Sequence, residues 1–412
     1  MYKEITQCRI CGNPNLEEVL DLGTQALTGV FPRSKVENVT AGPLKLVKCV
    51  GSGEVCGLLQ LRHTYDLKEL YGENYGYRSG LNAGMVSHLQ AKVHRLLNQI
   101  KLPKEALIVD IGANDSTTLQ AFPKKGNTLV GVDPTGAKFK EFYPDHIQLI
   151  PDFFSGETVR RKVGDRKAAV ILSLSMFYDL EAPVTFAQEV RDLLDDEGIW
   201  VFEQSYMPTM LRSNSYDTVC HEHLEYYALK QLDWVVRRVG MKIIDLEFNT
   251  VNGGSISVTA APTSSQHSES SRVKEVLESE VRAGLDTLAP YREFAHRVEE
   301  SRSSIREFLE QTRKSGKSIK GLGASTKGNV LLQYCNITET DIAQIGEVNA
   351  DKFGHFTPGT LLPIVSEEEV LASKADYLLV LPWHFRQFFE HYPKLTGQTL
   401  VFPLPDLEIV RC

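Results

Sequence analysis

The tightest constraint on the fold lies in residues 106–133. Ala106-Leu107-Ile108-Val109-Asp110 is an apolar run that ends in an acid, and Thr128-Leu129-Val130-Gly131-Val132-Asp133 repeats that design. Apolar runs without polar alternation suit parallel strands covered on both faces. Between them stands Ile111-Gly112-Ala113-Asn114-Asp115, and Asp133 follows Gly112 by 21 residues. That spacing fits one strand–helix–strand unit closed by an acid able to bind both hydroxyls of an adenosine ribose. Further strands are expected at residues 168–174 and 198–203. The helix between them carries Phe186, Val190, Leu193 and Leu194 at helical spacing, and Asp195-Asp196-Glu197-Gly198 forms its polar exit turn. The alternation predicts an α/β, Rossmann-like doubly wound sheet with ligands at the carboxyl ends of its strands.

The loop chemistry narrows the ligand. A dinucleotide pyrophosphate needs a crowded Gly-x-Gly-x-x-Gly turn, and this loop has one glycine at Gly112, close to Asp110. S-adenosylmethionine carries an adenosine but no phosphate to cradle, and it suits the loop better. Asp110, Gly112 and Asp133 are the candidate cofactor contacts on this chemistry.

A chain of 412 residues predicts two to three domains. The expected divisions are a zinc-binding unit at 1–65, a methyl-donor unit at 66–250 and a second α/β unit at 251–412. A net charge of −8 argues against a nucleic-acid partner. No apolar run is long enough for a membrane span, and the N-terminus lacks a signal-peptide core. A cytoplasmic protein, monomeric or weakly self-associating, is expected. Cys8-x2-Cys11 and Cys49-x6-Cys56 suit a structural Zn2+ with four sulfur ligands. Unliganded thiols in a small β unit are the alternative.

Mid-chain, Val219-Cys220-His221-Glu222-His223-Leu224-Glu225-Tyr226-Tyr227 concentrates proton-handling groups. It is not the His-Glu-x-x-His of zinc proteases, which sets two imidazoles on one helical face. The two imidazoles here share a face only on an extended backbone. A general base oriented by a neighbouring carboxylate fits better. Tyr71, Tyr75 and Tyr77 crowd a segment that either lines a substrate pocket or packs. Asn252-Gly253-Gly254-Ser255 permits a tight turn or a close backbone approach. After a polar linker at 262–271, two charged helices break near Pro290. A strand, glycine loop and helix follow at residues 318–329, where backbone N–H groups and Lys327 could meet an anion, although the order of Lys327 and Gly328 excludes a Walker A loop.

Several of these pieces, in order, resemble S-adenosylmethionine-dependent C-methyltransferases of nucleotide-linked 4-keto-6-deoxy sugars. The resembling segments are Cys8-Arg9-Ile10-Cys11-Gly12, residues 109–115, residues 174–180, His221-Glu222-His223-Leu224-Glu225-Tyr226-Tyr227, residues 252–255, the 321–329 loop, Pro358-Gly359-Thr360 and Leu381-Pro382-Trp383. The resemblance implies a zinc domain, a methyl-donor domain and a C-terminal domain that helps hold the sugar nucleotide. It implies His223 as the base, with Glu222, His221 and Tyr77 in supporting catalytic roles. It adds Asn114, Pro134 and Ser173 to the cofactor contacts. Tyr75, Cys220, Asn252, Ser325, Lys327, Asn349, Lys352 and Trp383 would contact the substrate. The family usually has Tyr where this chain has Cys220. An O- or N-methyltransferase on a sugar nucleotide, and a non-catalytic sugar-nucleotide-binding protein, are the alternative readings.

Overall fold

The computed structural model describes residues 2–71 and 77–412. Its centre is a seven-stranded sheet in the order Met241–Asn249, Ser255–Pro262, Leu194–Ser205, Ala168–Leu174, Ala106–Ile111, Asn127–Val132 and Ile147–Ile150. The last five run parallel, and the first two form an antiparallel hairpin against them. Every residue of Ala106–Ile111 is buried, as its unbroken apolar run requires. Burying each such Leu, Ile or Val contributes about 1.5–3 kcal/mol. Residue 250 sits between the two hairpin strands, so this sheet continues past the division expected there, through Pro262.

Two local expectations change. Between the strands at 106–111 and 127–132 stands no α-helix, only the single turn Leu119–Ala121. Asn114 and Ser116 adopt positive φ (48° and 64°), and Asp115 Oδ1 accepts from the Thr117 hydroxyl at 2.6 Å. Such local side-chain bonds compete with helix hydrogen bonds, and Pro123 then blocks propagation. The expected turn at 195–198 is instead a register shift inside Leu194–Ser205.

The N-terminal sheet has the order Glu225–Tyr226, Leu59–Leu61, Ala41–Cys49 and Leu16–Ala26. Its edge strand therefore comes from the middle of the chain. Tyr227 turns back toward the central sheet, its carbonyl accepting from Met207 N at 2.9 Å. The third sheet, in the order Ile364–Ser366, Ile345–Glu347, Ile319–Leu322, Tyr377–Val380, Thr399–Phe402 and Glu408–Arg411, is parallel except at its last strand. Its helix Thr326–Tyr334 docks on the N-terminal sheet: Asn329 Nδ2 donates to Thr28 O at 2.8 Å, and Gln333 Oε1 accepts from Ala26 N at 2.7 Å. Pro290 opens the long helix Ala289–Lys314, where its missing N–H costs nothing.

The helix Leu229–Arg238 starts at Ala228, which has no capping side chain, and Glu280 of the helix Ser271–Arg282 reaches across to serve it. Glu280 accepts from Leu229 N at 2.7 Å, Lys230 N at 3.0 Å and the Tyr206 hydroxyl at 2.6 Å. A buried acid there satisfies orphan N–H groups and the positive helix end. Glu280→Ala should lower the unfolding free energy by about 3 kcal/mol in chemical denaturation. A loss indistinguishable from zero would deny the cap.

Candidate active site

A cavity of about 210 Å³ opens over the carboxyl ends of the central strands. It gathers Asp110, Gly112, Asn114, Asp133 and Pro134, five of the six candidate cofactor contacts. Gly112 sits at φ +76°, and a Cβ there would press to 3.1 Å from Met176. Asp133 is held rigid: Oδ1 accepts from Thr135 N at 2.7 Å, and Oδ2 from Asn114 N at 2.8 Å. Asp110 Oδ2 is buried without a partner, and burial, then the charge of Asp133, push its carboxyl up to about 8. It keeps its proton at neutral pH and can donate to a bound ligand.

Asn114 lines the cavity and also holds a neighbouring segment. Its amide accepts from Ser79 N at 3.0 Å and donates to Tyr77 O at 3.1 Å, while Asp115 Oδ2 accepts from Gly80 N at 2.8 Å. The glycine loop thus clasps residues 77–80 along the cavity, and Tyr77 lines it. Tyr75 lies outside the described residues. Ser173 is corrected: it faces the core, where its hydroxyl accepts from the Trp200 indole at 3.1 Å. Side chains alternate along a strand, and Leu174, with Ser175 and Met176 beyond the strand end, lines the cavity in its place.

The central segment turns at His221 and Glu222, so its two imidazoles part company. His221 is fully buried toward the N-terminal sheet, edge-on to Tyr65 at 4.6 Å, and a direct catalytic role for it is withdrawn. His223 packs against Tyr178 at 4.4 Å, and its Nδ1 lies 2.9 Å from Thr218 O. A carbonyl only accepts, so Nδ1 carries the proton and Nε2 presents its lone pair. Burial, then the positive charge of Lys327, push the His223 ring down to about 4. Glu222 has a buried oxygen without a partner, and burial raises its carboxyl. The N-terminal chain passes close at Gly29, where a Cβ would fall 2.5 Å from Glu222 Oε1 and push that carboxyl group aside. Cys220 is buried, and its thiol is held protonated by burial and then by the nearby Glu222.

The C-terminal sheet brings the remaining candidates close. Lys327 Nζ donates to Asn252 O at 2.8 Å, and burial lowers its pKa against the opposing pull of Asp217. Trp383 Nε1 donates to Asp217 Oδ2 at 2.8 Å. Ser325 Oγ caps the helix Thr326–Tyr334, accepting from Gly328 N at 3.0 Å. On the other flank of the loop, Lys352 Nζ donates to Ala324 O at 2.7 Å and Asn349 Oδ1 accepts from Asp351 N at 3.1 Å. Lys327 is the common element, since its charge acts on His223, His384 and Asp217.

Far from this chemistry, the sulfurs of Cys8, Cys11, Cys49 and Cys56 all lie within 4.8 Å of one another. Tetrahedral zinc with bonds of about 2.3 Å separates its sulfurs by about 3.8 Å, which fits. So does the chemistry: thiols this close compete for charge, and hydrogen bonds from Cys56 and Cys8 pull Cys49 down, while that with Cys49 pushes Cys56 up.

Comparison with known proteins gives three consecutive matches. Residues 8–71 match the model of a zinc binding domain found in methyltransferases, 83–246 a methyltransferase domain, and 250–405 the C-methyltransferase C-terminal domain. The chain carries these three matches in order, from a zinc binding domain through a methyltransferase domain to a C-methyltransferase C-terminal domain. Its relative C-methyltransferase NovU of Streptomyces niveus is 29% identical over 422 residues, spanning 100% of this chain and 98% of that one. Solved structures with similarity include a complex of the Haloferax volcanii Trm112 methyltransferase activator with a methyltransferase (12% identity, 44% of this chain and 94% of that one, TM-score 0.36). Another is the CcbJ methyltransferase of Streptomyces caelestis (12% identity, 42% and 88%, TM-score 0.33).

The chain is an S-adenosylmethionine-dependent methyltransferase with a four-cysteine zinc-binding domain. No helix among the described residues is long and apolar enough to cross a membrane. Two acids on the cavity, Asp179 and Glu203, were not among the expected site residues. The Tyr71 hydroxyl donates to Asp179 Oδ2 at 2.7 Å, and both residues line the cavity. Glu203 lines it too, held by His88 at 2.6 Å and Lys92 at 2.7 Å. Burial works to raise the Glu203 carboxyl, and those two partners outweigh it and hold it low. Glu203 ends an apolar run as Asp110 and Asp133 do, and that pattern could have flagged it.

Two predictions arise from this geometry. Asp133→Ala should weaken S-adenosylmethionine binding about 10- to 100-fold in calorimetry, the worth of a charged hydrogen bond. Wild-type affinity would remove Asp133 from the cofactor site. The second concerns His221, whose ring burial lowers from 6.5 to about 4. The folded state then binds fewer protons than the unfolded one between those values, so the neutral ring's contribution is whole above pH 6.5 and drains as pH falls to about 4. Wild type should lose stability relative to His221→Phe across that window, on the order of 3 kcal/mol by its lower end. A pH-independent difference between the two would contradict it.

Proposed function

We propose that the enzyme methylates carbon 3 of a nucleotide-linked 4-keto-6-deoxy sugar, with His223 as the base. The observation that carries this reading is the His223 imidazole, half-buried and neutral, with Nδ1 committed to Thr218 O and Nε2 left to accept a proton. A ketone at carbon 4 acidifies the proton on carbon 3. His223 removes it, and the resulting enolate needs positive charge or donors nearby. Lys327, buried and close enough to depress His223, supplies that charge. S-adenosylmethionine supplies an electrophilic methyl group. Asp133 and Asp110 hold its adenosine end, and the clasped residues 77–80 keep water out.

Ser325, Lys327 and the start of the helix Thr326–Tyr334 suit a diphosphate, with Asn252, Asn349, Lys352 and Trp383 around the nucleotide and sugar. Tyr77 flanks the sugar from the donor side. Glu222 orients it, and Cys220 leaves room that a tyrosine would fill. Reaction with methyl-13C-labelled donor and a panel of thymidine- and guanosine-diphosphate keto-deoxysugars tests the reading. NMR should place the label on carbon 3. Label on oxygen or nitrogen, or on no sugar in the panel, overturns it.

A further inference from the structure

By its hydrogen bonds the central segment belongs to the zinc unit. Glu225–Tyr226 pairs antiparallel with Leu59–Leu61, Leu61 N donates to Leu224 O at 2.8 Å, and Gln231 Nε2 donates to the carbonyl of the zinc ligand Cys56 at 2.8 Å. Arg9, between Cys8 and Cys11, points inward beneath this joint. Its Nη1 donates to Leu61 O at 2.6 Å, its Nη2 to the Thr64 hydroxyl at 2.8 Å, and its backbone N to Gln60 Oε1 at 3.1 Å. The same guanidinium faces Glu225 at 3.7 Å, with side chains 3% and 0% exposed. Glu225 stands two residues beyond His223, and both border one small internal gap.

A two-residue strand has little register of its own. A slip of one residue would exchange the faces of Glu225 and Tyr226 and carry His223 along by about 3.3 Å. Catalytic groups tolerate misplacement of about 1 Å before rates fall by orders of magnitude. A buried ion pair is a poor source of stability, because desolvation offsets its attraction, but it is a sound register pin, since neither partner can be left alone. Burial pushes the Glu225 carboxyl well up and the Arg9 guanidinium opposes that shift, so the pair acts through its fixed place between knuckle and strand.

We propose that the zinc unit is a positioning device for the base, in which Arg9 of the zinc knuckle grips Glu225 and so sets where His223 stands. This rests on His223 being the base. Arg9 and Glu225 are positioning residues, since neither lines the donor cavity.

The test uses the zinc-loaded full chain with Arg9→Gln, Glu225→Gln and Arg9→Lys. Zinc content and S-adenosylmethionine affinity are measured first, then backbone amide exchange across residues 219–227, then the His223 ring by NMR titration. In the two Gln variants zinc should stay at one per chain and donor affinity within twofold of wild type. Amide exchange at 219–227 should speed at least tenfold, and the His223 titration should climb from about 4 toward 6.5. Methyl transfer should fall at least tenfold in kcat with little change in donor KM. Arg9→Lys, which keeps the charge, should stand between these and wild type. Wild-type exchange and titration in Glu225→Gln overturn the proposal, as does zinc loss in Arg9→Gln beside unaltered Glu225→Gln. If Glu225→Gln fails to fold, Arg9→Lys decides alone: intermediate exchange supports the pin, and wild-type exchange overturns it. Exchange and titration need no turnover, so transfer surviving in His223→Ala would remove the base assignment and leave the positioning result readable.

Discussion

His223→Ala is expected to lower methyl transfer about a thousandfold, within the range of 10² to 10⁴ for loss of a positioned general base. The donor cavity does not include His223, so S-adenosylmethionine affinity should hold near wild type and attest to an intact fold. The imidazole cannot be replaced by its neighbours. His221 points into the N-terminal sheet, and the Cys220 thiol is held protonated by burial, while burial raises the Glu222 carboxyl. His223→Gln, which fills the space without the basicity, should be as inactive as the alanine variant. The acid limb of kcat/KM governed by His223 should lie near 4 rather than near 6.5, because its ring stays neutral to that point. Transfer within tenfold of wild type in either variant would show that another group removes the proton.

Removing zinc should be the largest single perturbation of the fold. Structural zinc sites with four cysteine ligands couple metal binding to folding, at about 10–16 kcal/mol in small zinc peptides, against total stabilities of about 5–15 kcal/mol for ordinary domains. Chelation, or Cys49→Ala, should therefore melt the N-terminal sheet. The damage should reach the reaction, although no cysteine of the cluster lines the donor cavity. The path is covalent and short: the sheet that holds the zinc also holds Glu225–Tyr226 as its edge strand, and His223 lies two residues before Glu225. Transfer should fall more than a hundredfold, with donor binding much less affected because the central sheet has its own core. Mass spectrometry for metal, near-ultraviolet circular dichroism and calorimetry with S-adenosylmethionine separate these effects. Full activity in a metal-free chain would contradict the coupling.

The central sheet was legible because its strands are apolar throughout and end in acids, and period-2 or unbroken patterns survive any tertiary context. The same holds for the glycine loop of the third sheet and for the cysteine pairs, whose chemistry is written in residue type. What escaped the sequence was produced by turns and by distant pairing. The missing helix between residues 112 and 126 follows from side-chain bonds of Asp115 and the block at Pro123, which a hydrophobic period does not reveal. Ser173 stands near a strand end, where a ligand contact is expected, but one step of strand alternation gives it to Trp200. The opposite fates of His221 and His223 depend on a turn between them, and the strand at Glu225–Tyr226 exists only because Leu59–Leu61, about 165 residues earlier, offers it an edge. Arg9 and Glu225 each look ordinary alone, and only their apposition gives them a part.

The central claim is that this chain makes a sugar carbon nucleophilic before any methyl group moves. Solvent exchange reads that step in isolation. The enzyme is incubated in D2O with a thymidine-diphosphate 4-keto-6-deoxyhexose and no methyl donor, and carbon 3 is followed by NMR. Deuterium should enter at carbon 3 in the wild type at a rate at least as fast as turnover, and should fall to the uncatalysed rate in His223→Ala. Methyl transfer to that sugar without any exchange at carbon 3 in the wild type, or exchange undiminished in His223→Ala, would contradict the account.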